Sequence, residues 1–321
     1  MQKMGKCSKT CPSINNTSTR SVTYEHKSTH IGNSIPIDGT IARFTCAPYY
    51  EKNSVEQRPF VCLDGTRSEP APKCIALSGQ RARENTDKII GGNSTRQGLF
   101  SWHVAIYLND VIICGGSLLS ERVILTAAQC VTHSDARFGT TSQFSKIEEI
   151  FVAPEYSTQN HFTDIAVIVT DRAFKLSPTV QPVAVDWAKA HVDKVLRPSR
   201  QFGYISGWND SAQHGNYSTP LATIRVAFIN HTICFLDVPE CYEQYLTSDK
   251  MCTTFGIRHN GICMGDRGAG LVAEHNNKYY IFGVLSFFPG KCDIGQYGLY
   301  TRVDPYVDNF ILEKVARYNT V

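Results

Sequence analysis

The chain has 321 residues, of which 42% are hydrophobic and 19% are charged, and this supplies enough apolar side chains for about two domains with packed cores. The composition excludes a disordered or fibrous protein. A formal net charge of +3, with no run of lysine and arginine longer than two residues, excludes a nucleic-acid-binding protein. No apolar run approaches the ~20 residues of a transmembrane helix, so we expect no membrane partner.

Cysteine content and glycosylation sequons indicate an extracellular protein. The 12 cysteines have spacings unlike any zinc motif and suit an oxidising compartment. We expect no metal site and no cofactor. The first residues lack the apolar stretch of a signal peptide, so we expect a secretion signal outside this sequence. Six Asn-X-Ser/Thr sequons agree with secretion, at Asn15, Asn16, Asn93, Asn209, Asn216 and Asn230.

The cysteine spacing divides the chain. Five cysteines lie between Cys7 and Cys74, and the next is Cys114. Between the two groups, the polar residues 76–88 show no apolar period, which indicates an exposed linker open to proteolysis. We therefore predict an N-terminal remnant at 1–10, a small module at 11–75, the linker at 76–88 and a larger domain at 89–321.

The small module needs disulfide bonds because its core is too small to keep it folded. Its four cysteines lie 35, 16 and 12 positions apart. Residues 11–12 (Cys-Pro), 43–50 (Arg-Phe-Thr-Cys-Ala-Pro-Tyr-Tyr), 62–65 (Cys-Leu-Asp-Gly) and 70–74 (Pro-Ala-Pro-Lys-Cys) resemble a sushi, or complement control protein, module. Such modules bind proteins.

The resemblance to a sushi module implies two disulfides, Cys11–Cys62 and Cys46–Cys74. Residues 64–67 lack the tryptophan that is usual in that family. We therefore expect the aromatic core of the module to consist of Tyr49, Tyr50 and Phe60.

The larger domain is predicted to consist mainly of β-strands. Residues 102–108 and 123–126 are β-branched and aromatic runs bounded by turn residues, and short strands at this spacing favour a barrel or a sandwich. Near the end, apolar residues recur at helical spacing after Asp304-Pro305, which predicts a core-packing helix. These residues are Val307, Phe310, Ile311 and Val315.

Five segments of the larger domain carry a further pattern. They are 88–92 (Lys-Ile-Ile-Gly-Gly), 114–117 (Cys-Gly-Gly-Ser), 125–130 (Leu-Thr-Ala-Ala-Gln-Cys), 164–167 (Asp-Ile-Ala-Val) and 265–268 (Gly-Asp-Arg-Gly). In this order and spacing they resemble the activation, histidine, aspartate and serine regions of trypsin-like serine proteases. The resemblance covers nearly all of 89–321. It implies an all-β fold of two six-stranded β-barrels with a C-terminal helix.

Acyl transfer in that family needs a hydroxyl nucleophile, an imidazole that accepts its proton, and a carboxylate that orients the imidazole. At the three matching positions this chain has Arg267, Gln129 and Asp164. An amide does not titrate near neutral pH, and a guanidinium stays protonated. We therefore expect no catalysis, because the nucleophile would be absent even if His133 or His161 replaced the imidazole.

The substrate pocket also departs from the family pattern. Gly261 stands at the pocket floor, where an acidic residue would select arginine or lysine. On the pocket wall, Ser286 is followed by bulky residues, with Phe288 where the family has glycine. We expect Arg267 and Phe288 to fill the cleft. The backbone amide of Gly265 matches the oxyanion hole, but without a nucleophile that hole has no use.

The residues of the family's activation switch are intact. In the family, cleavage frees an amine that pairs with the aspartate before the nucleophile, and the matching residues are Lys88, Ile89 and Asp266. We hypothesise that cleavage after Lys88 changes the shape of the protein and thereby its affinity for a partner. The alternative is an inherited sequence without function. Only 33 residues separate Cys130 from Asp164, so we predict no calcium site there.

The resemblance to trypsin-like proteases implies three more disulfides, Cys114–Cys130, Cys234–Cys252 and Cys263–Cys292. Ala184 stands where the family often has the cysteine that ties the pro-segment to the catalytic part, and Cys7 and Cys241 remain. Spacing alone does not assign these two cysteines. Four arrangements stay open: a Cys7–Cys241 bond, interchain bonds, an upstream module that pairs with Cys7, or a Cys241–Cys252 bond that leaves Cys234 over.

A sushi-like module before a protease-like domain resembles the invertebrate modular serine proteases that start immune cascades, and also haptoglobin-like pseudoproteases. We expect a secreted serine protease homolog without catalytic activity. It would bind extracellular proteins, such as protease zymogens or recognition proteins, as a cofactor, decoy or regulator of an innate-immune proteolytic cascade. One alternative is a haptoglobin-like carrier that is indifferent to cleavage at Lys88. The other is an active endopeptidase, which Gln129 and Arg267 disfavour.

Overall fold

The computed structural model describes residues 9–27, 29–30, 35–53, 60–67, 70–80, 100–131, 137–139, 143–195, 202–207, 221–254, 266–287 and 297–318. The chain divides into two compact units, an N-terminal unit that ends at Leu77 and a C-terminal unit that begins at Ser78. Several residues singled out in the sequence lie outside the described residues: Cys7, Lys88, Ile89, Asn93, His133, Asn209, Asn216, Gly261, Cys263, Gly265, Phe288 and Cys292.

Short antiparallel strands make up the N-terminal unit. They are β1 (Arg20–His26), β2 (Thr29–His30), β3 (Ile41–Cys46), β4 (Tyr50–Lys52), β5 (Phe60–Leu63), β6 (Thr66–Arg67) and β7 (Cys74–Ala76). Five of them form a sheet in the order β2-β1-β3-β5-β6, and β4 pairs with β7. Disulfides join Cys11 to Cys62 and Cys46 to Cys74, the pairs that the sushi resemblance implies.

The core of the N-terminal unit differs from the one expected. Tyr24 and Phe44 are buried on the inner faces of β1 and β3, and Phe60 packs edge-on against Phe44 with ring centroids 4.8 Å apart. Tyr49 and Tyr50 lie half-buried outside this cluster. The expectation was wrong for these two residues because Tyr49 lies in a turn, with φ of 69°, and Tyr50 begins the small outer pair β4–β7.

The first part of the C-terminal unit is a closed antiparallel barrel. Its strands, in the order β10-β13-β12-β11-β8-β9, are β8 (His103–Leu108), β9 (Val111–Leu118), β10 (Val123–Thr126), β11 (Arg137–Gly139), β12 (Phe144–Val152) and β13 (Ala166–Thr170). A two-residue turn, Asn109-Asp110, joins β8 to β9 with both φ angles positive, as tight hairpins require. Strands β8 and β10 confirm the runs predicted at 102–108 and 123–126.

The second part is a seven-stranded sheet in the order β14-β19-β18-β15-β16-β17-β20. Its strands are β14 (Ala184–Val185), β15 (Phe202–Gly207), β16 (Ala222–Ile229), β17 (Lys250–Thr254), β18 (Gly270–His275), β19 (Lys278–Phe287) and β20 (Tyr297–Arg302). A further pairing between β19 and β20 joins six of the strands into a ring, and β14 adds to β19 in parallel. The predicted all-β, two-barrel fold is confirmed.

Helical segments in the described residues are few and short. The α-helices are α1 (Val192–Val195), α2 (His231–Asp237) and α3 (Leu312–Tyr318); 3₁₀ turns cover Ala128–Val131, Glu240–Tyr245 and Asp304–Tyr306, and a π-helical turn covers Val307–Ile311. Within the described ranges no helix is long and apolar enough to span a membrane.

The closing helix packs as its spacing predicts. It begins with the 3₁₀ turn that contains Pro305 and continues through the π-helical turn into α3. The four apolar residues of the predicted face, Val307, Phe310, Ile311 and Val315, are all buried in the main core. The helix therefore closes the barrel core rather than presenting an apolar face to solvent.

Candidate functional site

A fully buried carboxylate is the centre of the candidate site. Asp164 lies just before β13 and is 0% exposed. Its Oδ1 accepts a hydrogen bond from the backbone N–H of Gln129 at 2.9 Å, and its Oδ2 accepts from Gln129 Nε2 at 2.6 Å and from Ser286 Oγ at 2.7 Å. A buried charge is tolerated only when donors surround it in this way.

Gln129 projects from the 3₁₀ turn that follows β10, and the Cys114–Cys130 disulfide ties this turn to β9. Its Nε2 also donates to the backbone carbonyl of Ser286 at 2.6 Å. A carboxamide has two N–H donors on this nitrogen, and both are used here. The side chain is thus held as a donor between Asp164 and β19, and it offers no base that could accept a proton at neutral pH.

The loop that carries Arg267 is anchored through its backbone. Gly115 N–H donates to the Arg267 carbonyl at 2.6 Å, and Gly268 N–H donates to the Leu285 carbonyl at 2.8 Å. Gly268 has φ of 80°, and a Cβ at this position would lie 2.2 Å from Thr126 Oγ1. Only glycine fits at position 268. The two backbone hydrogen bonds hold Arg267 close to β9 and β19, and the Arg267 side chain is half-buried.

His161 lies beside the same carboxylate. Burial lowers the pKa of His161, the negative charge of Asp164 opposes that shift, and the positive charges of Arg267 and Lys250 add to it. Burial and the charge of Asp164 also raise the pKa of Tyr156 to about 12. The net lowering of this pKa disfavours the protonated form of His161, which lies within reach of the charges of both Asp164 and Arg267.

Aromatic rings cover one side of His161. Its ring stacks on Tyr245 with centroids 5.4 Å apart and on Phe287 at 6.3 Å, while Tyr245 and Phe287 stack at 4.1 Å. Tyr242 adds a fourth ring, 5.4 Å from Phe287. All four side chains are half-buried, so each ring keeps part of its surface in contact with solvent. We call these four residues the aromatic surface.

Sequence reasoning missed an ion pair that supports the site. The side chain of Lys250 is 0% exposed, and its Nζ donates to the His161 carbonyl at 2.6 Å and to Asp249 Oδ2 at 3.0 Å. Asp249 Oδ2 also accepts from the Thr163 N–H at 3.0 Å. The pair thereby fixes the segment that leads into Asp164. The signal in the sequence was the charged pair Asp249-Lys250 at the point where the buried strand β17 begins.

The structure shows which cysteine is bonded to Cys252. Cys234 is bonded to Cys252, which excludes the arrangement in which Cys241 takes Cys252 and leaves Cys234 over. Cys241 is exposed and forms no disulfide within the described part of the chain. The remaining arrangements of Cys241 stay open because Cys7 lies outside that part.

Other predicted sites can be placed only in part. Asn15, Asn16 and Asn230 are exposed, as glycan acceptors must be. Asp266 is buried, while its expected partner Ile89 lies outside the described residues. Within those residues, no group of three or more His, Cys, Asp or Glu side chains is arranged to hold a metal ion.

The structure thus brings Gln129, Asp164 and Ser286 into one hydrogen-bonded group, and the positive charge of Arg267 acts on His161, which also feels the charge of Asp164. The pocket floor Gly261, the oxyanion position Gly265, the wall residue Phe288 and the cleavage site after Lys88 lie outside the described residues. Their expected roles remain predictions.

Known proteins are similar to this chain over most of its length. The family model described as Trypsin matches residues 89–310. The CLIP domain-containing serine protease B4 of Anopheles gambiae is 31% identical over 293 residues, which cover 79% of this chain and 77% of that protein. The venom protease of Bombus pensylvanicus is 25% identical over 71% of this chain and all of that protein. The hepatocyte growth factor activator serine proteases of Canis lupus familiaris are 28% identical, and the match covers 39% of their length.

Proposed function

The chain belongs to the trypsin family of serine proteases, and from that premise we propose that it is a secreted member without catalytic activity. In this proposal it binds extracellular proteins as a cofactor, decoy or regulator of an innate-immune proteolytic cascade. The family membership covers the C-terminal unit. A sushi-like N-terminal unit would supply a second protein-binding surface, and the Cys11–Cys62 and Cys46–Cys74 bonds support that assignment.

The hydrogen-bonding role of Gln129 carries the proposal. Hydrolysis by this family needs a side chain at this position that takes a proton from the nucleophile. The Gln129 amide instead donates both of its N–H groups, to Asp164 and to the Ser286 carbonyl. The carboxylate that would orient a catalytic imidazole is therefore occupied by a group that does not titrate.

Arg267 also supports the proposed lack of catalytic activity. Its backbone is held at the nucleophile position by Gly115, but its guanidinium remains positively charged at neutral pH and is not nucleophilic. The positive charge of Arg267 also lowers the pKa of His161, which disfavours a protonated histidine in the neighbourhood. Even if His161 accepted a proton, Arg267 provides no hydroxyl that could be activated as a nucleophile.

The aromatic surface offers a place for protein binding. Half-exposed aromatic side chains are enriched where proteins associate, because they bury large apolar areas at a low entropic cost. Tyr242 and Tyr245 both contact Phe287, and Tyr245 and Phe287 stack on His161. We assign partner binding by the C-terminal unit to this surface.

Covalent labelling tests the absence of catalysis. After cleavage following Lys88, the protein is incubated with a serine-reactive phosphonate, with active trypsin as the positive control for the probe. We expect no label on the protein, because no nucleophilic hydroxyl lies at position 267. Stoichiometric labelling that maps to the C-terminal unit would overturn the proposal.

Partner capture from the extracellular fluid of the source tests the binding role. The intact protein, the protein cleaved after Lys88 and the uncleavable variant Lys88→Gln are compared. We expect a protease zymogen to be retained preferentially by the intact or by the cleaved form. A non-protease ligand held equally by all forms would favour a carrier instead.

The aromatic surface is tested in the same capture. Tyr245→Ala is expected to reduce retention of the partner about tenfold or more, the scale of an interface anchor. Phe144→Ala removes a ring that is 67% exposed on β12 and serves as the matched control. Equal losses from both variants would show that the aromatic surface has no special role.

A further inference from the structure

A short segment before the cleavage site is docked on the C-terminal unit. Gly79 N–H donates to the Pro182 carbonyl at 2.8 Å, and the Gly79 carbonyl accepts from Tyr279 N–H at 2.9 Å. Gly79 therefore links the residues just before β14 to β19 through both of its backbone groups. The C-terminal unit begins at Ser78, so this contact is internal to it.

Only glycine fits at this contact. Gly79 is buried and has φ of 69°, a conformation that L side chains rarely adopt. A Cβ at this position would lie 2.4 Å from the Tyr279 carbonyl oxygen, 2.9 Å from Lys278 Cγ and 3.0 Å from Ala184 Cβ. The carbonyl oxygen belongs to the backbone of β19 and cannot rotate away. The backbone of Gly79 therefore packs directly against β19 and against the small side chain of Ala184.

Gly79 and the residues that it contacts lie on opposite sides of the predicted cleavage site. Gly79 lies before Lys88, so cleavage after Lys88 leaves Gly79 on the N-terminal fragment while its partners stay on the other. The four disulfides within the described residues each lie wholly on one side of Lys88. None of them would join the two fragments.

We propose that residues 78–80 are a latch, docked while the chain is continuous and released when the chain is cleaved after Lys88, so that the N-terminal fragment separates. The inference deepens the proposed function, because it rests on cleavage at that site and states what cleavage does. Release would also free the surface formed by Pro182, Ala184 and Tyr279.

The N-terminal fragment is expected to dissociate because cleavage turns an intramolecular contact into an intermolecular one. Two backbone hydrogen bonds give a small net stabilisation, because water competes for the same groups. In the continuous chain they act at an effective concentration on the order of millimolar. Fragments at about 1 µM meet at a concentration about a thousandfold lower, and they also lose translational and rotational freedom on association. The latch alone cannot offset this loss.

The cleaved protein is tested by size-exclusion chromatography without reducing agent. A trypsin-like protease is added to wild type and to the triple variant Arg81→Gln, Arg83→Gln, Lys88→Gln, which removes the three basic residues of 81–88 and should elute as one peak. Cuts after Arg81 or Arg83 also leave Gly79 on the N-terminal fragment, so they do not confuse the result. We expect two separate peaks from cleaved wild type.

The latch itself is tested on the uncleaved chain by residue-resolved hydrogen exchange. We expect the Tyr279 amide to exchange at least tenfold faster in Gly79→Ala than in wild type, because the added methyl group displaces its acceptor. Gln80→Ala changes an exposed neighbour and should leave the rate unchanged. The amide of Ile281, further along β19, serves as the internal reference.

Two results would overturn the proposal. One is co-elution of the cleaved fragments with Tyr279 still protected. The other is co-elution that disappears in Cys241→Ser, which would show that a Cys7–Cys241 bond ties the fragments. Neither result bears on the phosphonate labelling, so failure of the latch is distinguishable from failure of the proposed lack of catalysis.

Discussion

Gln129 satisfies a charge that the fold keeps out of water. With the side chain in place, the Asp164 carboxylate receives three hydrogen bonds, two of them from Gln129. The same amide also satisfies the Ser286 carbonyl on β19. One side chain therefore connects the first barrel to the second across the candidate site.

Truncation of this side chain should be costly. We expect Gln129→Ala to lower the free energy of unfolding by about 2 kcal/mol, because a buried carboxylate and a buried carbonyl each lose a donor. Urea denaturation measures the change. Gln159→Ala, at an exposed position, should stay within about 0.5 kcal/mol of wild type. Equal stabilities of the two variants would mean that water replaces the amide.

A buried histidine makes stability depend on pH. Burial lowers the pKa of His103 to about 3, while the unfolded chain has a histidine pKa of about 6.5. Between these values the unfolded state binds a proton that the folded state does not. Stability should therefore fall as pH is lowered below about 6.5, by up to about 1.4 kcal/mol per pH unit from this residue.

His103→Gln removes that linked proton, so the dependence of unfolding free energy on pH between 7 and 5 should become flatter. The measurement is urea unfolding at pH 7, 6 and 5. The exposed His231→Gln variant is the control and should retain the wild-type slope. Parallel slopes for all three proteins would show that the pKa of His103 is the same in the folded and the unfolded state.

At the scale of elements, α2 is too short to be stable alone, so its stability depends on its N-terminal cap and on its disulfide bond. Asn230 Oδ1 accepts from the Thr232 N–H at 2.8 Å and caps the helix. The Cys234–Cys252 disulfide ties it to β17. Asn230 is also the acceptor of a predicted glycan, which would attach to the side-chain nitrogen and leave the capping oxygen in place.

Three substitutions separate the cap from the glycan. Asn230→Asp and Thr232→Ala both remove the sequon, but the aspartate oxygen and the Thr232 backbone N–H preserve the cap. We expect both variants to lose the glycan in glycopeptide mass spectrometry. Asn230→Ala should in addition lose about 1 kcal/mol of stability, compared with unglycosylated protein. A similar loss in all three variants, compared with the glycosylated wild type, would assign the stabilisation to the glycan.

At the scale of the whole molecule, the two units differ in how they are held together. The N-terminal unit has a small core around Tyr24 and Phe44 and two disulfides. The C-terminal unit has a continuous core that runs from the first barrel to the closing helix. The segment that begins the C-terminal unit contains Gly79 of the proposed latch, and none of the described disulfides crosses the predicted cleavage site after Lys88.

Much of this organisation could be read from the sequence. The family motifs have fixed spacing around cysteines and strands, so they singled out Gln129, Asp164 and Ser286, which the structure joins by hydrogen bonds, and helical periodicity found the closing helix. The core of the N-terminal unit could not be read in the same way. Tyr49 and Tyr50 lie near Cys46 in sequence, but strand register, which local sequence does not encode, placed Tyr24 and Phe44 inside.

The sequence by itself determined the family and the two-barrel fold, and by resemblance it assigned Gln129, Asp164 and Arg267 to the family's catalytic positions, because these inferences depend on local motifs in a fixed order. Only the tertiary structure decided how those residues interact: that the Gln129 amide joins Asp164 to β19, that Lys250 and Asp249 support His161, and that Gly79 docks on β19. Each of these contacts joins residues at least 30 positions apart except the Asp249–Lys250 pair itself. Pairing of that kind follows from packing and burial, which no local pattern specifies.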